Sequence, residues 1–465
     1  MTVIKSASVL SVLVILLGLL CASTEGQLQL SRLQYFINKN FIKFGRANQT
    51  KTVRHDGAQL WKLHTQQLWS KPLVKLQLEY GGDVWSMNED GIDIYFKEDV
   101  IDDVKVYLDG TDITYNIMID DIQRAIDEAN TPVNSTSEND PLQGTGVNMS
   151  WNQYHSFEDM NDFFFYLLEY FPDICSIMSI GRSAEKREIK MIRISNHNPE
   201  NRAVLIDAGM QGREWIGPAA LTYVMQKMAL NWRKMPPSVK SIDWYFVPMM
   251  NPDGYEYSRN VDRFWSKNRR VQDGCLGVNL DRNFDYSWGG KGSSGEPCSR
   301  YFRGPEKFSE PETRAIRNIL LKMKGYISAY ISIGGYGQFL AYPWGDEDYV
   351  PGNYEEMHYV AKRALRNMQK VVGTEYKTGS SYSLQFARAG NSADWVLHTL
   401  NINFVYNLML RDQGQHGYIL PSAMIEDSGE EAFATAKTIA ERIYRVQLYG
   451  ESPATNYEQN HTYEY

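Results

Sequence analysis

The chain has 465 residues, a hydrophobic fraction of 43% and a formal net charge of −8 at pH 7. That length and composition suggest two or three domains with ample material for a large core. The negative charge argues against nucleic acid as a partner, and no segment after residue 26 is long and apolar enough to predict a membrane span.

The first 26 residues have the pattern of a secretory signal peptide. Lys5 supplies the positive charge, residues 9–20 form an apolar run, and small residues follow at 21–26. A membrane anchor is the alternative, but a spanning helix needs about 20 apolar residues. We therefore expect a secreted, extracellular protein. N-glycosylation sequons occur at Asn48, Asn134, Asn148 and Asn460.

Residues 27–51 mix apolar and basic side chains, which predicts a short amphipathic helix packed on the domain that follows. Within residues 52–130, alternation predicts strands at 74–78 and 91–96. Residues 115–123 resemble the last strand and the start of the following helix in a known type of small domain, which is named below with the family. Residues 131–150 are rich in Asn, Ser, Thr, Pro and Gly, so we expect a flexible and exposed linker.

Residues 151–450 alternate between strand-like and helical patterns. Strands are predicted at 189–194, 203–206, 244–248, 327–333 and 403–408, and helices at 218–232, 310–323, 354–371 and 430–448. This alternation predicts an α/β domain with one sheet covered by helices on both faces. Residues 451–465 form a polar tail, which we expect to be disordered.

One turn of this domain carries the chemistry. An apolar strand ends at Gly209 and a helix begins near Pro218, which is where open α/β sheets place their ligands. Gln211 and Glu214 lie in that turn, and a His at the first position would give two zinc ligands in His-x-x-Glu spacing. The segment Gly-Met-Gln-Gly-Arg-Glu-Trp-Ile at 209–216 resembles the Gly-Ile-His-Ala-Arg-Glu-Trp-Ile turn of secreted zinc metallocarboxypeptidases of the pancreatic A/B type.

The resemblance covers about residues 52–450 and implies a fold. The expected fold is a mixed, mostly parallel central sheet covered by helices, preceded by a small α+β open-sandwich prodomain at 52–130. In the family this domain covers the cleft until a protease cuts the linker, but residues 131–150 contain no Lys or Arg. Cleavage by a protease of other specificity and permanent retention of the prodomain both stay open. The resemblance also implies a disulfide between Cys275 and Cys298, and leaves Cys175 as a buried free thiol.

The resemblance places the zinc ligands of the family at Gln211, Glu214 and Gly334. Of these, only Glu214 keeps a residue type that can serve as a zinc ligand, because glycine has no side chain and an amide oxygen is a poor zinc donor beside imidazole. Asn279 stands where the family has the Asp that orients the first His. None of the eight histidines has a zinc-binding pair spacing. We therefore expect no cofactor, and zinc only if the protein is an active enzyme.

The family's catalytic groups are replaced as well. Met409 stands at the general base, Ser266 at the Arg that stabilises the oxyanion, and Phe386 at the mobile Tyr. Without metal and base, no nucleophilic water remains at neutral pH.

Other parts of the substrate cleft survive. Arg213, Arg282 and Tyr336 match substrate-binding residues of the family. Asp281 replaces an Asn and would repel a carboxylate unless it pairs with Arg282. Ala393 stands at the floor of the specificity pocket, which favours an apolar side chain.

Three hypotheses follow. The first is a catalytically inactive homologue that works by binding, with peptide or protein C-termini as the expected partners. The second is an extracellular zinc carboxypeptidase that removes apolar C-terminal residues, and the third is a prodomain that inhibits a true carboxypeptidase in trans. In each case we expect a monomer with no nucleic acid partner and no stable membrane span.

Overall fold

The computed structural model describes residues 51–65, 71–129, 142, 145–272 and 274–450. Within it, the described residues from Val53 onward belong to one compact unit. Several predictions lie outside the described residues, namely the signal peptide, the extension before residue 51, most of the linker, the tail from residue 451 and the sequons at Asn48, Asn134 and Asn460.

The unit begins with a small α+β domain, as predicted. Its elements are β1 (Gln59–His64), α1 (Lys71–Leu78), β2 (Asp83–Asn88), β3 (Gly91–Phe96), α2 (Ile101–Asp109), β4 (Thr114–Ile119) and α3 (Ile122–Ala129). The strands pair antiparallel in the order β2-β3-β1-β4. The prediction of a strand at 74–78 is wrong. This segment lies in α1, because Leu73 and Leu76 are buried three residues apart on one helical face while Leu78 is exposed.

The two faces of the small sheet have different partners. Alternate residues of β1 and β3, such as Trp61, Ile92 and Ile94, form a core with the helices α1 and α2. The residues between them point the other way, and Leu60 and Tyr95 cluster with Phe264 of the following domain. The small domain therefore packs onto the rest of the chain through the sheet face opposite α1 and α2, where α3 also contributes Ile122 and Ile126.

The larger domain is built on an eight-stranded mixed sheet. Its eight strands are β5 (Cys175–Arg182), β6 (Glu188–Ile194), β7 (Arg202–Ala208), β8 (Ile242–Val247), β11 (Ile327–Gly335), β12 (Phe339–Tyr342), β13 (Lys377–Ser380) and β14 (Phe404–Leu410). The order is β13-β12-β14-β11-β7-β8-β6-β5, and four of its seven pairings are parallel. Two short strands, β9 (Val271–Gln272) and β10 (Cys275–Leu276), pair with each other in a separate ladder. The five predicted strands are confirmed.

Helices pack on this sheet in two groups. Described helices of the larger domain are α4 (Phe157–Tyr170), α5 (Ile216–Asn231), α6 (Pro237–Lys240), α7 (Pro252–Asn260), α8 (Pro311–Lys322), α9 (Tyr354–Val372), α10 (Ser381–Leu384), α11 (Ser392–Leu400) and α12 (Ile425–Tyr449). The long helices α5, α9 and α12 pack together, whereas α8 and α11 contact each other and the strands. Among the described helices, none has both the length and the apolar character needed to cross a bilayer.

The parallel strands β7, β11 and β14 are neighbours, and their carboxyl ends meet at one edge of the sheet. β7 stops at Gly209, which has a φ of +70°, a conformation that glycine adopts without strain. Gly334 pairs in register with Met409. These ends hold the turn around Gln211 that the sequence singled out. The predicted disulfide between Cys275 and Cys298 is present, and Cys175 is a buried free thiol.

The small domain contacts this edge of the larger one through β2 and β3. Trp85 is 4% exposed and lies against the rings of Phe264 and Tyr418, at centroid distances of 4.7 and 5.1 Å. Asp93, which is 1% exposed, pairs with Lys62 at 2.7 Å and accepts a hydrogen bond from Tyr336 at 2.8 Å. One aromatic anchor and one buried carboxylate thus join the two domains.

Replacing Trp85 with alanine tests this anchor. Because the ring is almost fully buried, the substitution should lower the free energy of unfolding by about 3–5 kcal/mol, as large aromatic deletions do. Denaturant unfolding of the parent and W85A measures the difference. Val106→Ala is the matched control, since Val106 is 74% exposed on α2. A Trp85 variant as stable as that control would show that the ring does not hold the domains together.

Candidate functional site

The candidate site is a cavity of about 60 Å³ at the carboxyl ends of β7, β11 and β14. Strand β2 of the small domain contributes one wall of it, from Val84 to Met87. The larger domain contributes most of the residues that the sequence picked out, which are Gln211, Arg213, Glu214, Ser266, Asn279, Arg282, Tyr336, Phe386 and Met409. Residues that are far apart in sequence therefore meet in one enclosed place.

The positions of the zinc ligands surround a smaller cavity of about 20 Å³, which Gln211, Glu214, Gly334 and Met409 all line. A Cβ atom on Gly334 would lie 2.6 Å from Oε2 of Glu214 and 2.9 Å from Sδ of Met409. Carboxylate and thioether thus fill the space into which a third ligand would project. No group of three His, Cys, Asp or Glu side chains able to hold a metal occurs among the described residues. This donor set does not fit zinc.

Glu214 is the one titratable group left at the family's zinc-ligand positions. It is 6% exposed, and its Oε2 accepts a long hydrogen bond of 3.4 Å from the backbone N–H of Gly335. Burial raises the pKa of Glu214 to about 7, and the positive charges of Arg213 and Arg388 oppose that rise. The carboxyl is therefore partly protonated at neutral pH.

The other replaced positions supply no cation to the cavity. Ser266 lines it, and its backbone carbonyl accepts a hydrogen bond from Gly212 N–H at 3.0 Å. Phe386 packs against the core of the small domain. Asn279 accepts from the N–H of Asp281 at 3.1 Å and donates to the carbonyl of Arg300 at 3.1 Å, so its amide supports the backbone.

Two arginines converge on a carboxylate of the small domain. Arg213 is 4% exposed and lies 3.8 Å from the ring of Tyr418, to whose hydroxyl its Nη2 donates at 2.9 Å. Its Nη1 lies 3.5 Å from Oδ2 of Asp83, and Arg300 forms an ion pair with the same carboxylate. Asp83 therefore neutralises two guanidinium groups of the cleft at once.

A second pair of arginines shares Asp281. Arg282 is 2% exposed and donates from Nη1 to the carbonyl of Asp281 at 2.7 Å and to its Oδ2 at 3.3 Å. Arg388 pairs with the same carboxylate oxygen and lines both cavities. The sequence left open whether Asp281 pairs with Arg282, and the structure shows this pair, but the sequence did not identify Arg388.

The apolar specificity pocket expected at Ala393 stays a prediction. Ala393 is fully buried in the core and is not among the residues that line these two cavities. The lining of the smaller cavity mixes polar side chains, Arg388, Asn407 and Ser332, with apolar ones such as Ile333 and Met409. No motif marks Arg388 or Arg300 in the sequence. The acidic residue at Asp281, where the family has an amide, was the one signal that a further cation had to be near.

Comparisons with known proteins agree with this architecture. The family model for zinc carboxypeptidases matches residues 160–435, and the model for carboxypeptidase activation peptides matches residues 70–129. Carboxypeptidase B of Astacus astacus is 33% identical over 63% of this chain and 97% of its own. Carboxypeptidase A2 of Mus musculus is 32% identical over 74% of this chain and 82% of its own. A crystal structure of thrombin activatable fibrinolysis inhibitor is similar with a TM-score of 0.75 at 26% identity, over 83% of this chain and 99% of that one.

The raised pKa of Glu214 predicts a pH dependence of stability. The native state binds its proton more tightly than the unfolded chain, so this group favours folding below its unfolded pKa of about 4.5 and loses that contribution as pH rises through about 7. Glu214→Gln removes the titration. Between pH 4.5 and 8 the variant should therefore gain up to about 3 kcal/mol in unfolding free energy relative to the parent.

Denaturant unfolding of both proteins across that pH range measures the gain. Glu430→Gln is the control, because Glu430 is a partly exposed carboxylate away from the cavity. A difference between E214Q and parent that does not change with pH would contradict the assignment.

Proposed function

The chain belongs to the zinc carboxypeptidase family and carries its activation peptide, and from that premise we propose a secreted, catalytically inactive member that works by binding. Its ligand is the free C-terminal carboxylate of a peptide or protein. The predicted signal peptide supports the extracellular location. The replacement of the family's hydrolytic groups supports inactivity. The arginines that remain in the cleft support the binding of a carboxylate.

The observation that carries inactivity is the packing of Glu214, Gly334 and Met409. A zinc peptidase needs three protein ligands, an open position for water and a base beside that water. Here the side chains of Glu214 and Met409 occupy the space at Gly334, and a thioether stands at the base position and cannot accept a proton. Loss of a single group could be compensated by a neighbour, but the other carboxylate that lines the cavity, Asp281, is paired with Arg282 and Arg388. No group of three side chains able to hold a metal occurs in the part of the chain that the structure describes.

The arginines support a role in binding. Guanidinium groups bind carboxylates through paired, charge-assisted hydrogen bonds. Arg213 and Arg300 both form ion pairs with the carboxylate of Asp83. The Nε of Arg213 has no hydrogen-bond partner among the described residues and is available to a further acceptor. Asp83 thus stands in for the ligand's carboxylate while the small domain is docked. A peptide has to displace it.

Zinc content and turnover test inactivity. We expect elemental analysis of the purified protein to find far less than one zinc per chain. We also expect no release of C-terminal residues from peptides with apolar, basic or acidic ends, before or after cleavage between the domains. An active carboxypeptidase assayed in parallel, with and without a chelator, is the control. Stoichiometric zinc together with chelator-sensitive turnover would establish the active enzyme instead.

Competition with Asp83 tests the binding role. Asp83→Asn removes the charge that occupies Arg213 and Arg300, so a peptide with a free C-terminus should bind the variant about tenfold more tightly than the parent, a change of about 1.4 kcal/mol. Asp90→Asn is the matched control, since Asp90 is an exposed carboxylate of the same domain. Calorimetric titration measures both. The same peptide with an amidated C-terminus should not bind, and equal binding of the two peptides would refute a carboxylate site.

A further inference from the structure

A second concave site lies away from the cleft. It is an open groove of about 590 Å³ between the turn that follows β5, the segment before β9 and the start of α8. This volume is within the roughly 300–1,000 Å³ usual for ligand sites. We call it the basic groove, because it is lined by four basic side chains and one acidic one, which are Lys186, Arg269, Arg270, Arg314 and Glu185.

Two of the arginines are held side by side. Arg270 donates from Nη1 to the carbonyl of Ser309 at 3.2 Å, and Arg314 donates from its own Nη1 to the same carbonyl at 2.5 Å and to that of Phe308 at 2.9 Å. Because both bond the same backbone oxygen, their guanidinium groups lie next to each other. Arg270 has the fully buried Glu310 as its ion partner at 2.8 Å. Among the described residues, Arg314 pairs with no carboxylate.

The opposite wall carries Lys186 and Arg269. Lys186 stands at the tip of a tight turn, with a φ of +69° and an exposed side chain that forms no ion pair among the described residues. Arg269 lies flat on the ring of Tyr257, 3.7 Å from its centroid, and its Nε is 3.5 Å from the carboxylate of Glu185. Glu185 is itself shared with Arg187 at 2.5 Å. Among the described residues, the ion partners of these four cations are Glu185 and the buried Glu310, so the described lining of the groove keeps a positive charge in a chain whose net charge is −8.

We propose that the basic groove binds the sulfate groups of a sulfated polysaccharide. Arginine and lysine side chains bind oxyanions by charge-assisted hydrogen bonds. Cations stand on both walls, so consecutive sulfate groups of one chain can be met by Lys186 on one side and by Arg270 and Arg314 on the other. The groove is open to solvent, which lets a polymer pass through it.

The lining favours a polysaccharide over a nucleic acid. Proteins that bind single strands combine a basic groove with aromatic side chains on which the bases stack. No aromatic residue lines the basic groove, and its one large apolar lining residue, Val271, is 74% exposed at the rim. A sulfated sugar needs no stacking platform. The charge pattern alone is sufficient for it.

Titration of the full chain with a heparin-derived octasaccharide tests the proposal. We expect binding that weakens with salt, because each neutralised anionic group releases condensed counterions. In Lys186→Gln/Arg314→Gln the Kd should rise at least about tenfold, and the slope of log K against log salt should fall by about two. Lys322→Gln/Lys362→Gln is the matched control. It removes the same charge from exposed lysines elsewhere and should bind like the parent.

The single variant Lys186→Gln separates loss of binding from misfolding. Lys186 is exposed, so its replacement should leave the fold intact and still raise the Kd severalfold. Three results would overturn the proposal. The octasaccharide could fail to bind, the desulfated sugar could bind equally well, or the control variant could lose as much affinity as the groove variant. Equal affinity for a single-stranded DNA of the same charge would replace the polysaccharide with a general polyanion. None of these outcomes depends on zinc content or on peptide binding.

Discussion

The charge balance of the cleft constrains the rest of the structure. Four guanidinium groups meet there, and a buried charge left without a partner costs several kcal/mol. Arg282 and Arg388 share Asp281, which belongs to the same domain. Arg213 and Arg300 share Asp83, which belongs to the small domain. Since no described carboxylate of the larger domain forms an ion pair with Arg213 or Arg300, the small domain is part of the cleft's electrostatic balance and more than a cover over it.

The same constraint bears on the proposed absence of zinc. A zinc ion beside Glu214 would bring two positive charges close to Arg388, which also lines the smaller cavity. The two cations would repel each other at short range in a medium of low dielectric. Arg388 instead balances Asp281 and opposes the rise in the pKa of Glu214. The guanidinium group thus provides part of the counter-charge that a metal would have provided, but without Lewis acidity.

Sequence patterns predicted the framework because strands buried in a parallel sheet are nearly continuous apolar runs. They failed at residues 74–78, where the alternation of apolar and polar residues fits a strand. This segment forms part of α1, because Leu73 and Leu76 pack in the core of the small domain from one face of a helix. The motif around Gln211, together with the family resemblance, also predicted which side chains would meet in the cleft. Gly334 and Met409 lie on β11 and β14, which are far apart in sequence but adjacent in the sheet. Their roles were inferred from their motifs alone.

The residues that were missed have one physical feature in common. Arg388 and Asp83 each complete an ion pair across more than 100 positions of sequence, and nothing local marks such a partner. Asp281 nevertheless indicated that a further cation was needed. It places a carboxylate where the family has an amide, next to the buried arginine that the family uses for substrate. This replacement changes the charge of the pocket by one unit, and a folded protein has to compensate for it. Arg388 supplies the compensation, because its guanidinium group pairs with the carboxylate of Asp281.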